Sequence, residues 1–484
     1  MSLPAHVLDA FRAVVGRGGW EDDPRALAPH VSDWRGRFSG RTPLLLRPGN
    51  TEEVAAIVRL ANRHRVALVP QGGNTGLVIG GVPDASGREI LVSLTRMARI
   101  RGVDAANSSL VAEAGVTLRA VQEAAAAADR FFPLSFGAEG TATVGGFVST
   151  NAGGVHVLRY GTTRALVLGL EAVLPTGSVF RGLGALAKDN SGYDLKSLLV
   201  GAEGTLGIVT AAALKLFPPL RARAIAFVAL PSAAAAVALL AHLRAASDDR
   251  VIAFELISRF ALELAVAHLP ACRAPLSIVR PWYALVEIAS TRGDTPLQEM
   301  LEDALCAAEE DALLDDATIA ASLAQAEDFW RLRHGLSEAQ RPAGAALKHD
   351  ISVPVSRIPD FIETANAAAE RLVPGLRPCI FGHVGDGNLH YDLIQPDGLD
   401  RESFLARGKD VTRAVHDIAV GLGGTISAEH GIGRLKVAEL ARLKDASALT
   451  AMRAIKDALD PNHILNPGRI LAATGTAPDE RGKD

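Results

Sequence analysis

Two histidines lie seven residues apart in the stretch FGHVGDGNLH, residues 381–390. A helix would bring His383 and His390 onto one face, but the glycines between them are poor helix formers and an Asp-Gly dipeptide favours a turn. A single strand would point positions seven apart to opposite faces. The stretch therefore predicts a tight loop, with one strand entering and another leaving, that curls both imidazoles toward one point.

A carboxylate suited to the same chemistry follows in GGTISAEHGIG, residues 423–433. Together with His383 and His390, Glu429 offers two imidazoles and one carboxylate, which leave open positions on a divalent ion, as catalysis requires. A lone pair of histidines is more often structural, but the glycine-bounded setting of both stretches favours a metal site. Arg333 and Lys348 are two cations that flank a helix and a strand in the same predicted domain. Most such residues only solvate a surface, so these two become important only if the substrate is an anion.

Glycine-rich stretches in the first half of the chain predict a large ligand that carries phosphates. PQGGNTGLVIGGVP (70–83) follows a predicted strand, and residues 131–153 form a second such stretch. Glycines after a strand let backbone N–H groups approach and bind phosphate. One such loop is commonly only a turn, whereas two indicate a ligand that lies along the backbone. Residues 188–210 are predicted to add a third wall.

The composition is typical of a globular protein with two or three domains, because 484 residues exceed what one core usually supports. A net charge of −4 gives no sign of a nucleic-acid or anionic-membrane partner. Three scattered cysteines exclude an iron–sulfur site with four cysteines and fit a reducing compartment. We find no signal-peptide pattern and no transmembrane span in the sequence, and we expect a cytoplasmic protein.

The elements that must position these residues change in character at Pro218-Pro219. Before the prolines, TEEVAAIVRLANRH (51–64) predicts a helix capped by Thr51, and a long glycine-rich loop is expected over 133–154. From residue 221, strand and helix patterns alternate in a way typical of an α+β layer. The fold class is therefore predicted to be α+β.

Seven motifs, in this order, resemble the FAD-linked D-2-hydroxy acid dehydrogenases of the vanillyl-alcohol-oxidase flavoprotein superfamily. They are PQGGNTGLVIGG, NAGG, KDNSGYDLKSLLVGAEGTLGIVT, KHDISVPV, GHVGDGNLH, SAEHGIGRLK and DPNHILNPGRIL. The resemblance covers about residues 40–471. It implies a two-lobed FAD-binding domain (1–218), a substrate-binding α+β domain (219–425) and a C-terminal segment (426–484) that returns to the flavin.

The resemblance also implies which residues contact the cofactor. The pyrophosphate would be bound by Pro70, Gln71, Gly72, Gly73, Asn74, Thr75 and Gly76. The isoalloxazine and ribityl chain would be lined by Leu134, Gly137, Ala138, Thr141, Gly145, Gly146, Asn151 and Gly153. The adenine side would be contacted by Glu203, Gly207 and Ile208, and the flavin ring by Asn466. His156 is the only nearby candidate for a covalent link to flavin and lies in no tethering motif, so the FAD is expected to be non-covalent.

Further roles carried by the resemblance concern the reaction itself. His383, His390 and Glu429 would bind zinc or a similar divalent ion, and His430 would be the catalytic base. Arg333, Ser337 and Lys348 match positions that hold substrate carboxylates. One departure is Asp392, where relatives usually have Asn. A carboxylate there would repel an anionic substrate or would pair with a cation.

These roles imply oxidation of a D-2-hydroxy acid to the 2-oxo acid. D-2-hydroxyglutarate is the expected substrate, and D-lactate and D-malate are the alternatives. The metal would acidify the 2-hydroxyl, His430 would take its proton, and the C2 hydride would pass to flavin N5. The resemblance further suggests electron-transfer flavoprotein as the acceptor, and a homodimer is expected.

Three other classes of protein compete with this interpretation. A metal-dependent hydrolase could use the two histidines and the glutamate, but it would not need the glycine-rich walls. A non-catalytic nucleotide-binding module would need the walls but not the metal set. A flavin oxidase that uses oxygen directly is the closest rival.

Overall fold

The protein is described here from a computed structural model, which covers residues 3–473. The strands are β1 (Trp20–Glu21), β2 (Leu45–Leu46), β3 (Leu68–Gln71), β4 (Ile90–Ser93), β5 (Ile100–Asp104), β6 (Ser109–Glu113), β7 (Val167–Val173), β8 (Val179–Gly182), β9 (Ile208–Lys215), β10 (Ala222–Leu230), β11 (Val251–Ser258), β12 (Trp282–Ser290), β13 (Asp316–Ile319), β14 (Ala346–Ser352), β15 (Arg377–His383) and β16 (Asn388–Ile394).

The helices are α1 (Ala5–Val15), α2 (Pro24–Val31), α3 (Thr51–His64), α4 (Leu118–Ala127), α5 (Val144–Thr150), α6 (Val157–Tyr160), α7 (Thr163–Leu166), α8 (Leu195–Leu199), α9 (Ala233–Ala246), α10 (Arg259–His268), α11 (Leu297–Glu310), α12 (Leu323–Ala339), α13 (Ile358–Leu372), α14 (Arg401–Ala406), α15 (Gly408–Gly421), α16 (Val437–Leu443) and α17 (Ala446–Leu459). This mixture of helices and strands confirms the predicted α+β class.

The chain divides into two compact units. Unit 1 comprises the chain up to Gly153, residues 161–218 and the chain from Glu429 onward. Unit 2 comprises Gly154–Tyr160 and Pro219–Ala428. Of the expected 426–484 segment, residues 426–428 belong to unit 2 and the chain from Glu429 onward belongs to unit 1. Residues 474–484 lie outside the described residues.

Within residues 3–473, unit 1 contains two sheets. In the first, with the order β1-β2-β4-β3, β2 and β3 run parallel to β4. The second sheet is antiparallel throughout, with the order β5-β6-β9-β7-β8. The core of unit 1 joins residues from β2, β3 and β4 to the buried faces of α1 and α3.

Helix α3 confirms the helix predicted over 51–64, although the predicted cap is wrong. Asn50 is the capping residue, because its side-chain oxygen accepts the N–H of Glu53 at 2.9 Å. The Thr51 hydroxyl instead donates to the Glu171 carboxylate at 2.7 Å. The sequence pattern located the helix correctly but could not distinguish between two adjacent residues that both favour the capping position.

The glycine-rich loop expected over 133–154 contains helix α5, so the prediction of a continuous loop is wrong. Val144 and Phe147 are buried on one face of this helix. The helix ends at Asn151, which has a left-handed φ of 50°. Burial of one apolar face outweighs the cost of about 1 kcal/mol for each glycine inside a helix.

Unit 2 is built on one antiparallel seven-stranded sheet with the order β13-β10-β12-β11-β15-β16-β14. Helices α9, α11, α13 and α15 pack on one face, whereas α10 and α12 pack on the other. The short α6 also belongs to this unit, and Leu158 lies so close to Gly385 that a Cβ there would be 2.8 Å from it. None of the helices within residues 3–473 is long and apolar enough to cross a membrane.

Candidate functional site

His383 and His390 lie on the two strands of one hairpin, not in its loop as predicted. His383 ends β15, a turn follows over Val384–Asp386, and His390 lies within β16. Side chains seven residues apart point to opposite faces only along one continuous strand. Here the chain reverses direction between His383 and His390, so that rule does not separate them. The imidazoles do converge: their centroids are 5.9 Å apart and one nitrogen of each lies within 4.8 Å of the other.

The candidate side chains on the strands of unit 2 share the sheet face that packs against α10 and α12. Alternation along each strand places His383 on the same face as the buried Phe381, which belongs to the core on that side. His390 is the cross-strand partner of Phe381 in the β15–β16 pair. Asp392 and Lys348 are likewise direct partners across β16 and β14, and period-2 alternation aligns them with the same face.

Glu255 lies in the middle of β11 and is fully buried. One carboxylate oxygen is 2.5 Å from His383 Nδ1, and the other accepts from Arg333 Nε at 2.7 Å. Burial alone would raise the pKa of this carboxyl, but the charge of Arg333 and the hydrogen bond from His383 outweigh burial and lower the pKa to about 2. Glu255 is therefore a carboxylate at neutral pH and accepts from both partners.

Sequence reasoning missed Glu255, although a signal was present. It is the one charged residue within the strand sequence VIAFELIS (251–258). Because a carboxylate inside a fully buried strand is rare unless it is paired, its position alone indicates a specific partner.

Arg333 lies on α12 with only 6% of its surface exposed. Besides pairing with Glu255, its guanidinium lies over the ring of Phe381, 5.0 Å from the ring centroid. Ser337, one helical turn further along, is exposed. The structure thus places Arg333 inside the unit, with its charge already balanced by a carboxylate.

Lys348 has a buried acidic partner as well. Its ammonium donates to Asp392 at 2.9 Å and to the side-chain oxygen of Gln340 at 2.7 Å. Burial acts to raise the pKa of Asp392, but the Lys348 charge dominates and lowers it. Of the two roles considered for Asp392, the structure shows the pairing with a cation.

Asp350 is a second acidic residue that the sequence reasoning missed. It lies on β14, the strand that pairs with β16 of the hairpin. It is the cross-strand partner of His390, and its Oδ1 lies 3.9 Å from His390 Nδ1. The same oxygen accepts from the side-chain amide of Asn388 at 2.9 Å. The backbone carbonyl of Asp350 accepts the N–H of Ala428 at 3.3 Å.

Glu429 and His430 begin the third segment of unit 1, directly after Ala428, the last residue of unit 2. Both side chains are half-buried. Ala428 itself is hydrogen-bonded to the strand that carries Asp350.

Glu203 fixes the segment that follows these two residues. Its two carboxylate oxygens accept the N–H groups of Ile432 and Gly433, each at 2.7 Å. Burial raises the pKa of Glu203, and the two backbone hydrogen bonds oppose this shift. The resemblance places Glu203 on the adenine side of FAD, which stays a prediction. In the structure its carboxylate holds the segment after His430.

The loop over residues 70–76 packs closely against the segment that begins α5. A Cβ on Gly72 would lie 2.3 Å from Thr143 Oγ1, and a Cβ on Gly73 would lie 1.8 Å from the Thr141 carbonyl oxygen. Gly76 has nothing within 4 Å of such an atom and faces open space. Glycine is therefore required at the first two positions by the neighbouring backbone and side chain.

Asn466 joins the C-terminal segment to β3, to Gly80 and to Glu203. It has a left-handed φ of 47°, and its side-chain amide donates to the carbonyls of Gly80 at 3.0 Å and Glu203 at 2.7 Å. Its backbone N–H donates to Leu68 on β3 at 2.8 Å. A buried ion pair between Arg469 and Glu89, 2.6 Å long, fastens the same segment a few residues later.

The remaining residues expected to contact FAD are all placed in unit 1. They are Pro70, Gln71, Asn74, Thr75, Leu134, Gly137, Ala138, Gly145, Gly146, Asn151, Gly153, Gly207 and Ile208. His156, the residue considered for a covalent flavin link, belongs to unit 2.

Comparisons with known families match both parts of the chain. Residues 42–182 match a family described as an FAD binding domain, and residues 220–470 match the C-terminal domain of FAD linked oxidases. The chain belongs to the FAD-linked oxidase family. It is accordingly an FAD-dependent oxidoreductase.

Several curated proteins resemble this FAD-linked oxidase along nearly its whole length. The D-2-hydroxyglutarate dehydrogenase of Xanthomonas citri pv. viticola is 38% identical, with 93% of each chain covered. The mitochondrial D-2-hydroxyglutarate dehydrogenase of Arabidopsis thaliana is 37% identical over 97% of this chain and 82% of its own. The D-2-hydroxyglutarate dehydrogenase of Stutzerimonas stutzeri is 34% identical over 98% and 100%, respectively.

Solved structures show the same fold at low sequence identity. A p-cresol methylhydroxylase with bound substrate superposes with a TM-score of 0.75 at 16% identity, covering 98% of this chain and 97% of the other. A 4-ethylphenol oxidase from Gulosibacter chungangensis gives a TM-score of 0.72 at 18% identity, with 97% of both chains covered. The fold is therefore that of the vanillyl-alcohol-oxidase type.

The residues of unit 1 fit the cofactor of an FAD-linked oxidase. Thr143 Oγ1 and Asn466 Oδ1 are buried and have no hydrogen-bond partner within residues 3–473. Buried polar atoms normally have partners, so these two are suited to a polar ligand that binds beside them. Thr143 lies against Gly72, at the loop that the sequence predicts for the pyrophosphate.

Proposed function

We propose that this FAD-linked oxidase oxidises D-2-hydroxyglutarate to 2-oxoglutarate with non-covalent FAD. The observation that carries the proposal is the match, over 93–98% of this chain, to relatives named D-2-hydroxyglutarate dehydrogenase. The site in unit 2 supports it, because two imidazoles and Lys348 share one sheet face, and Arg333 lies on α12, which packs on that face. The hydroxyl and the carboxylates of a hydroxy acid are groups that these imidazoles and cations can bind.

His383, His390 and Glu429 would hold one divalent ion, for which we propose zinc. Two imidazoles and one carboxylate form a ligand set that zinc accepts, with a position left open for substrate. The nitrogens of the two histidines already lie within 4.8 Å of one another. Glu429 follows Ala428, whose N–H is bonded to the strand adjacent to β16.

When bound, FAD supplies a two-electron acceptor and the divalent ion a Lewis acid. His430 would remove the proton of the 2-hydroxyl, because a neutral imidazole titrates near working pH. Arg333, Ser337 and Lys348 would orient the substrate carboxylates through hydrogen bonds from their cations and hydroxyl.

The acceptor and the assembly of the enzyme are also part of the proposal. We infer that the reduced enzyme passes its electrons to electron-transfer flavoprotein, in the cytoplasm and as a homodimer. Rapid reoxidation by purified electron-transfer flavoprotein, with slow peroxide formation in air, is the expected result. Rapid peroxide production without an added acceptor would instead favour a flavin oxidase.

The experiment that tests the reaction is a panel of D- and L-2-hydroxy acids with an artificial dye acceptor. Each acid is assayed with and without prior removal of metal by a chelator. We expect turnover of D-2-hydroxyglutarate alone or in preference, and loss of turnover after chelation. Equal turnover of the L-isomers would contradict the assigned stereochemistry. Unchanged rates after complete metal removal would contradict the role of the metal as a Lewis acid. A colourless purified protein would indicate a hydrolase.

Substitution His390→Ala tests the metal set directly. We expect kcat to fall at least about a hundredfold, since Lewis-acid stabilisation is worth several kcal/mol. The yellow flavin should remain bound, because the residues expected to hold FAD belong to unit 1. His268→Ala is the matched control, an exposed histidine in the same unit. Loss of flavin from the His390 variant would mean that this histidine has another role.

A second candidate substrate is D-lactate, and the Lys348–Asp392 pair favours it. A lysine whose charge is balanced by a buried carboxylate 2.9 Å away attracts a second substrate carboxylate less strongly. In Asp392→Asn, kcat/KM for D-2-hydroxyglutarate relative to D-lactate should rise about tenfold, the equivalent of one charge-assisted hydrogen bond. Asp397→Asn, which removes an exposed partner of Arg377, should leave the ratio unchanged. An unchanged ratio in the Asp392 variant would remove the argument for D-lactate.

A further inference from the structure

We propose that Glu255 is a positioning residue of the metal centre, which holds His383 in the tautomer that presents Nε2 to the ion. This inference rests on the metal-binding role proposed for His383. It adds a residue that does not itself bind the metal or the substrate. The same carboxylate also fixes Arg333, so one buried group would orient both a metal ligand and a substrate-binding cation.

The register of the sheet places Glu255 beside the histidine. Strands β11 and β15 pair antiparallel, and Glu255 and His383 are direct partners in this pair. The residues are 128 positions apart in sequence, and the oxygen and nitrogen are 2.5 Å apart. Partners directly across an antiparallel pair point to the same face, so the contact is set by the backbone and not by a flexible loop.

The chemistry of the contact selects one tautomer. An ionised carboxylate only accepts hydrogen bonds, so His383 Nδ1 must carry the hydrogen. In a neutral imidazole, the lone pair is then on Nε2, which becomes the nitrogen available to a metal. Metal-binding histidines commonly donate a hydrogen bond from the N–H of their other ring nitrogen to a carboxylate.

Arg333 allows this carboxylate to stay in place before any metal binds. Glu255 is 0% exposed, and a buried carboxylate without a partner would be strongly destabilising. The guanidinium of Arg333 contacts Oε2 through Nε at 2.7 Å and Nη2 at 2.6 Å. Oε1 contacts the imidazole of His383, so each carboxylate oxygen has its own partner.

Glu287 is a second buried carboxylate of this sheet, and its contacts are with a tryptophan and an arginine. It lies on β12, is 1% exposed, accepts from Trp330 Nε1 at 2.9 Å and lies 3.5 Å from Arg223. It therefore provides a matched control, since it is equally buried, in the same sheet and adjacent to the same layer of helices.

The first experiment measures zinc affinity in the FAD-loaded protein, by competition with a chromophoric chelator. In Glu255→Gln the amide offers one acceptor and one donor, so either His383 or Arg333 meets a donor. We expect zinc affinity to fall about 10- to 100-fold, the typical effect of losing such an outer partner. Glu287→Gln should bind zinc as the wild type does. Equal affinity in wild type and Glu255→Gln would overturn the proposal.

The second experiment reads the tautomer in the metal-free protein and does not depend on activity. Histidine labelled with ¹⁵N gives distinct signals for the two ring nitrogens, and His383→Ala assigns them. The wild type should show hydrogen on Nδ1, and Glu255→Gln should shift the population toward hydrogen on Nε2. A wild-type ring protonated on Nε2 alone would overturn the proposal.

The two measurements separate this inference from the proposed function. If the wild type binds no zinc although His383 carries hydrogen on Nδ1, then the metal role of His383 fails and this inference fails with it. If the wild type binds zinc and Glu255→Gln binds it equally well, only the role of Glu255 fails. A fall in affinity for Glu255→Gln but not for Glu287→Gln supports both.

Discussion

Glu255 in unit 2 and Glu203 in unit 1 are both buried carboxylates, and each fixes a segment that carries candidate catalytic residues. Glu255 contacts two side chains that can carry positive charge, Arg333 and His383. Glu203 accepts from two backbone N–H groups in the segment that follows His430. The pKa of Glu255 is lowered to about 2, whereas burial raises the pKa of Glu203.

The difference shows what kind of partner a buried carboxylate needs to stay ionised. Two neutral N–H donors satisfy the oxygens of Glu203 but do not offset the loss of solvation as a full positive charge does. Glu255, which is more completely buried, has the arginine and so remains charged. The strand site is therefore expected to be rigid and costly to disrupt, and the loop site more tolerant.

The largest expected effect is on Glu255→Ala, which leaves Arg333 buried without its partner. We expect the free energy of unfolding of unit 2 to fall by about 3–5 kcal/mol. Urea denaturation followed by the fluorescence of Trp282 and Trp330, which both belong to this unit, measures it. In the double variant Glu255→Leu/Arg333→Met, most of the loss should be recovered, because no charge is left unpaired. A loss that persists in the double variant would show that the charge is not its cause.

A smaller effect is expected for Glu203→Gln. The amide keeps one acceptor and presents a donor to the other N–H, so one of Ile432 and Gly433 loses its partner. The free energy of unfolding of unit 1 should fall by about 1–3 kcal/mol. Amide hydrogen exchange at Ile432 and Gly433 should become faster. Glu52→Gln, an exposed residue of the same unit, is the control, and equal exchange rates in both variants would contradict the role of Glu203.

The pH dependence of stability should have opposite signs at the two sites. A raised pKa in the folded state means that Glu203 binds more protons folded than unfolded. Its contribution is therefore present at low pH and is lost as pH rises above the ordinary value of 4.5. A lowered pKa means the reverse for Glu255, whose contribution is present above 4.5 and is lost as pH falls toward 2.

The unfolding free energy of metal-free wild type, minus that of each Gln variant, measures these contributions across pH. The difference for Glu255 should shrink on acidification below pH 4.5. The difference for Glu203 should shrink as pH rises above 4.5. Slopes of the same sign at both sites would remove the electrostatic distinction between them.

Much of the fold could be predicted because its signals are local. The helix over 51–64 follows from its apolar spacing, and the strand and helix alternation after residue 221 follows from changes in period. The convergence of His383 and His390 was also predicted, because glycines between them imply a turn. The position of α5 was missed, since its glycines suggested a loop while burial of Val144 and Phe147 favours a helix.

The sequence by itself determined most of the elements, the glycine-rich turns and the chemical types of the candidate ligands, because these depend on neighbours within a few residues. Only the tertiary structure decided that Glu255 meets His383 and Arg333 and that Asp392 neutralises Lys348. Those contacts depend on the register between strands far apart in sequence. No local pattern encodes that register, because it is set by how the whole sheet packs.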